Sequence, residues 1–158
     1  MKMNLYLIRH GKAEVKSESG RDFDRELTVK GRRKIESIAL RLNDLGITFD
    51  KIYSSPLVRA KQTAEIFLHH MINECDFEIN NTLAAGCNAK TLLENILFEH
   101  EKVALIGHEP DMSQILSDLC GAVNLQFKKG GIAKIVFEGE PRIGAGILEF
   151  LITPKIFK

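Results

Sequence analysis

Two stretches of the chain are apolar without a break and end at a histidine. Leu5-Tyr6-Leu7-Ile8 runs into Arg9-His10-Gly11, and Val103-Ala104-Leu105-Ile106 runs into Gly107-His108-Glu109-Pro110. A strand with no polar alternation is buried on both faces, as central strands of parallel sheets are. Between these runs the period changes to that of a helix. Ile35, Ile38, Ala39, Leu42 and Leu45 fall on one helical face, with Thr28 placed to cap the start and Gly46 to end it. Ala60, Ala64, Phe67, Leu68 and Met71 make a second stripe, opened by Ser54-Ser55-Pro56, a hydroxyl cap followed by proline at the first helical position. Ala89 to Phe98 and the residues after Pro110 repeat the helical spacing, the latter through Ile115, Leu116 and Leu119 with Gly121 beyond.

Shorter strands are predicted at Phe49–Tyr53 and Glu78–Asn80. Ile132–Phe137 and Ile147–Ile152 flank a connection too short for a crossover helix, so this pair should run antiparallel. Alternation of strand and helix elsewhere predicts one α/β domain over residues 1–158, with a mostly parallel sheet and helices on both faces. Lys12–Glu26 is dense in charge, lacks periodicity and reads as an exposed loop.

Composition narrows the partners. The chain has 158 residues, with 22 basic and 21 acidic residues for a net charge of +1, which removes the electrostatic case for nucleic acid or an anionic membrane. No apolar run reaches the roughly 20 residues of a membrane span, and Met1-Lys2-Met3-Asn4 is too short for a signal peptide. A cytoplasmic protein is expected. Cys75, Cys87 and Cys120 form neither a CxxC pair nor an even framework and read as reduced thiols. His69 and His70 read as surface residues at a helix end.

The chemistry lies where strands end. In a doubly wound sheet the carboxyl ends share one side, which would bring Arg9-His10, Arg59 and His108 to one crevice. Arginine forks suit phosphate because they donate parallel hydrogen bonds and keep their charge. Neighbouring guanidiniums should lower the histidine pKa below about 6.5 and keep an imidazole nucleophilic. No P-loop or GxGxxG pattern is present.

Leu7-Ile8-Arg9-His10-Gly11, Ser54-Ser55-Pro56-Leu57-Val58-Arg59-Ala60-Lys61-Gln62-Thr63 and Gly107-His108-Glu109-Pro110, in that order, resemble the signature segments of the histidine phosphatase superfamily. The branch is that of the cofactor-dependent phosphoglycerate mutases. Arg25-Glu26-Leu27-Thr28-Val29-Lys30-Gly31 resembles the small SixA-type phosphohistidine phosphatases within it. The resemblance implies a phosphoglycerate mutase-like three-layer α/β/α sandwich, its six-stranded sheet mostly parallel with one antiparallel strand. It implies that His10 is phosphorylated transiently, that Arg9, Arg59, His108 and Gly11 surround the phosphoryl group, and that no metal or other cofactor takes part. Many relatives carry an acidic proton donor after the third strand, yet Thr82-Leu83-Ala84-Ala85-Gly86-Cys87-Asn88 has no carboxylate. Glu109 is the nearest substitute as acid or base, or else it contacts the following helix. Imidazole needs less help to leave than an alkoxide, so the gap favours phosphohistidine in a protein, such as a phosphotransfer domain or phosphocarrier. The alternatives are a phosphomonoesterase for a small sugar or nucleotide phosphate, and a non-catalytic phosphoprotein-binding module.

Overall fold

The computed structural model describes residues 2–157, so residues 1 and 158, the ends of the expected domain, lie outside the described residues. In chain order the elements are β1 (Lys2–Arg9), α1 (Val29–Asp44), β2 (Lys51–Ser54), α2 (Val58–His70), β3 (Asp76–Ile79), α3 (Ala89–Asn95), β4 (Lys102–Gly107), α4 (Asp111–Cys120), β5 (Ile132–Glu138) and β6 (Ile147–Ile152). The six strands form one sheet in the order β3-β2-β4-β1-β5-β6. Every neighbouring pair up to β1 is parallel, while β5 is antiparallel to both β1 and β6. One strand therefore runs against the other five, as expected.

The continuous apolar runs sit at the centre because side chains alternate across a strand. Met3, Leu5 and Leu7 of β1, with Val103 and Leu105 of β4, face a core shared with Leu92 of α3 and Ile115, Leu116 and Leu119 of α4. Tyr6 and Ile8, with Ala104 and Ile106, face the opposite core, closed by Ile35, Ile38 and Leu42 of α1 and Ala60, Ala64 and Phe67 of α2. A polar residue at any of these strand positions would have no face to turn to water. This is the α/β/α sandwich.

Three expectations about helix ends need correction. The second helix starts at Val58, not at Pro56, because Ser54 and Ser55 remain extended: Ser55 N donates to Ile106 O at 3.0 Å. The Ser55 hydroxyl instead accepts from Leu57 N at 3.2 Å, closing a turn ahead of the helix. Leu45 is 62% exposed, since α1 closes at Asp44 and the chain leaves the helical face through Gly46 at φ 71. Met71 likewise lies just past α2 in extended conformation and is only partly buried. The Thr28 cap is in place, its side chain accepting from Gly31 N at 2.8 Å.

Candidate active site

Register puts the two histidines side by side. Arg9 pairs with Gly107 across the β1–β4 ladder, and His10 N donates to Gly107 O at 3.1 Å, so His10 and His108 leave neighbouring strands at the same level. Their rings lie 5.1 Å apart. On the third side, Arg59 in the first turn of α2 is buried and reaches back to donate from Nε to His10 Nε2 at 3.3 Å. Arg9, His10, Arg59 and His108 are thus brought together from three segments.

The histidine tautomer follows from its partner. His10 Nδ1 lies 2.7 Å from Gly11 O, and a carbonyl can only accept, so Nδ1 carries the proton. In the neutral ring, Nε2 then keeps its lone pair, which is where Arg59 donates. The loop that does this is pinned from beneath: Gly11 N donates to Thr63 Oγ1 at 3.2 Å, and the Thr63 hydroxyl donates to Arg59 O at 2.8 Å. His108 Nε2 lies 2.7 Å from the Ser55 hydroxyl, and its Nδ1 is buried without a partner. Arg9 Nη1 donates to Phe127 O at 2.8 Å, leaving its buried Nε unpartnered. Buried polar groups left open in this way are rare and mark a place where a ligand can supply the missing bonds.

Both imidazoles are held neutral. The His10 pKa falls to about 3, chiefly through burial and secondarily through His108, Arg59 and Arg9, against the Gly11 carbonyl that raises it. The His108 pKa falls to about 4, again chiefly through burial and next through Arg59. The direction matches the expectation from sequence, but the leading cause is desolvation, not the guanidiniums.

The carboxylates around the site all have partners. Glu109 accepts from Ser113 N at 2.8 Å and from the Ser113 hydroxyl at 2.6 Å, the helix contact weighed as its other role. Asp111 accepts from Gly86 N at 2.8 Å and Cys87 N at 3.2 Å, clamping the stretch that lacks an acid. Asp22, in the loop after His10, takes Arg59 Nη1 on its carbonyl at 2.9 Å and Nη2 on its carboxylate at 3.2 Å. Arg25 first, and Arg59 after it, hold the Asp22 carboxyl below its usual range. Sequence reasoning placed Asp22 in the loop without a partner, and gave no role to Ser55 or Thr63 toward the histidines.

Other expected features fall outside this cluster. Cys75 and Cys87 are half-buried thiols whose pKa burial pushes up to about 11 and about 12, the reverse of an activated nucleophile. His70 is less exposed than expected and lies 3.3 Å from Glu36. Among the described residues no three His, Cys, Asp or Glu side chains gather into a metal-binding group, and no helix is long and apolar enough to cross a membrane.

Comparison with known proteins agrees with this arrangement. The model of the histidine phosphatase superfamily (branch 1) matches residues 5–84. An uncharacterized protein of Picosynechococcus sp. is 33% identical over 97% of this chain and 98% of its own length. The mitochondrial serine/threonine-protein phosphatase Pgam5 of Drosophila persimilis is 34% identical over 73% of this chain, which spans 36% of that protein. Among solved structures, the putative phosphohistidine phosphatase SixA from Agrobacterium tumefaciens superimposes with a TM-score of 0.81 at 28% identity, covering 96% of this chain and 98% of that one. The protein histidine phosphatase SixA complexed with tungstate gives 0.85 at 21% identity, covering 99% and 100%. With its sheet order, its paired histidines and these matches, the chain belongs to branch 1 of the histidine phosphatase superfamily and is of the SixA type.

Proposed function

We propose that the protein is a phosphatase for phosphohistidine in proteins, acting through a phosphoryl intermediate on His10. The observation that carries the proposal is the His10 ring itself: Nδ1 tied to Gly11 O at 2.7 Å, and Nε2 unprotonated in a ring whose pKa lies at about 3. A nucleophile in this state needs no base to remove a proton. In the first step Nε2 attacks phosphorus of a substrate phosphohistidine protonated on its other ring nitrogen, the bond from phosphorus to that ring breaks, and the ring leaves with the bonding pair as neutral imidazole. In the second step water attacks the phosphoryl group on Nε2, releasing orthophosphate and returning the neutral ring. Arg59 exchanges its bond to Nε2 for a phosphoryl oxygen, the free Nε of Arg9 supplies another donor, and Gly11 keeps the loop close. Where Ser55 donates to His108 Nε2, the ring's open Nδ1 carries a proton and becomes a further donor to phosphate oxygen.

The substrate class follows from leaving-group chemistry. Glu109 and Asp111 are bound by other groups and Arg25 and Arg59 hold the Asp22 carboxyl low, so an acid poised to protonate an alkoxide is not part of the proposal. Phosphohistidine protonated on its other ring nitrogen expels neutral imidazole, whose conjugate-acid pKa is about 6.5, without one. The SixA structure with tungstate, a tetrahedral oxyanion, supports a phosphoryl site in this fold. The second reading, hydrolysis of a phosphate ester, draws on the Pgam5 relative, named as a serine/threonine-protein phosphatase. Turnover of a phosphohistidine peptide against a panel of phosphate esters, with and without a chelator, separates the two. A large preference for an ester overturns the proposal. Rapid acid-free quenching should trap phosphate on the wild type and none on His10→Ala, and retained turnover in that variant refutes the mechanism. A mere binding module would trap none in either.

A further inference from the structure

Arg9 and Gly11, the residues on either side of His10, also line a cleft of about 480 Å³ between the start of α1, the 128–129 turn and the 153–155 turn. Its walls carry Lys12, Lys30, Lys34, Lys128, Lys129 and Lys155 and, among the described residues, no carboxylate. The chain as a whole balances 22 basic residues against 21 acidic ones, so this is a local concentration of charge. All six lysines are exposed, and among the described residues none of them forms an ion pair. Gathered ammonium groups repel one another, and one interleaved acid relieves them, as Glu78 does for Lys51 and Glu149 for Lys134. Among the described residues the cleft has no such acid, and the chemistry proposed at His10 uses none of its lysines.

We infer that this cleft receives an acidic segment of the protein substrate, its carboxylates lying beside the phosphohistidine. The inference rests on the phosphohistidine activity proposed above. It favours a protein over a small polyphosphate because the cleft sets spread, flexible charge beside an apolar wall. Lysine binds phosphate too, as a point charge, but a tight polyphosphate cradle adds guanidinium forks or converging backbone N–H groups. Here the donors are ammonium groups on flexible exposed stems, and the one fork, Arg9, is already braced on Phe127 O at 2.8 Å. Lysine methylenes, with Ile35 and Pro154 at the wall, offer apolar contact to a polypeptide as well as charge. Such a patch selects and orients a partner more than it tightens a small ligand.

The test uses two phosphohistidine peptides that differ only in a flank of glutamates or glutamines. In low salt the acidic peptide should show a KM about tenfold lower, the sum of several exposed pairs, with kcat similar. In about 0.5 M NaCl the ratio of the two KM values should approach one. The triple variant Lys30→Gln/Lys34→Gln/Lys128→Gln should lose the ratio in low salt too. Equal KM values for the wild type overturn the inference, as does an acidic preference that survives in the triple variant. Tripolyphosphate inhibiting the neutral peptide at concentrations where a glutamate-rich peptide does not would assign the cleft to small polyanions instead. Hydrolysis of esters with neither peptide turned over would remove the phosphohistidine reading itself, an outcome distinct from equal hydrolysis of both.

Discussion

Replacing Thr63 by valine removes one hydroxyl and almost no volume. That hydroxyl is fully buried and accepts from Gly11 N at 3.2 Å while donating to Arg59 O at 2.8 Å. The Arg59 carbonyl keeps its place in the helix ladder. The Gly11 N–H, itself buried, is left with nothing, and an orphaned buried donor costs about 1–3 kcal/mol. With an m value of about 2 kcal/mol/M for a domain of this size, the urea midpoint should fall by roughly 0.5–1.5 M. Turnover should suffer as well, because Gly11 O holds His10 Nδ1 at 2.7 Å, and a nucleophile loosened by a fraction of an ångström loses about tenfold or more in kcat. Thr63→Ser separates the two roles. It deletes a buried methyl, costing about 1 kcal/mol, but keeps both hydrogen bonds, so its kcat should stay within about threefold of wild type. A valine variant with wild-type midpoint and turnover refutes the reasoning. So does a serine variant as slow as valine.

Three further outcomes are expected. Gly31→Ala would set a Cβ 2.3 Å from Lys12 O, a backbone atom that cannot swing aside, so the start of α1 and the segment after His10 must separate; about 2 kcal/mol or more of stability should be lost in urea unfolding. Ser55→Ala strips the partner from His108 Nε2 and from Leu57 N, and kcat for a phosphohistidine peptide should drop about tenfold, with a wild-type rate arguing against a role for the hydroxyl. Stability should also depend on pH through the two histidines. Their folded pKa values, about 3 and about 4, lie below the unfolded value of about 6.5, so the unfolded chain binds protons first and stability falls as pH drops below about 6.5. The slope is at most about 1.4 kcal/mol per pH unit for each ring, and His10→Asn should reduce it when unfolding is followed from pH 7.5 to 4.5.

The sheet was legible because its central strands admit no polar residue, so Leu5–Ile8 and Val103–Ile106 announce both their burial and the level at which His10 and His108 emerge. Arg59 was legible because a helix start after a strand aims its first side chains back over the strand end. Helix ends were less so: Pro56 satisfies the local preference for a first helical position, yet the ladder to Ile106 keeps its neighbours extended. Local sequence cannot weigh a tertiary bond of that kind. The Asp22 contact was hidden for the same reason, as 37 positions separate it from Arg59. The lysine cleft draws on Lys12, Lys30, Lys34, Lys128, Lys129 and Lys155, which come from four separate segments and are diluted by a chain of near-zero net charge. The depth of the histidines is a property of packing from three segments, which explains why the guanidiniums, visible in the sequence, were credited with a shift that burial dominates.

Asp22 gives Arg59 a counterion within the chain. Its carbonyl and carboxylate occupy Arg59 Nη1 and Nη2, and 63% of its side chain is in water, so the contact can be given up at small cost. Under the proposed chemistry an arriving oxyanion would not meet a bare guanidinium; it would trade places with a carboxylate. Affinity is then the difference between two similar attractions, and a departing phosphate leaves with a replacement at hand. A catalyst arranged in this way is protected from being throttled by its own product.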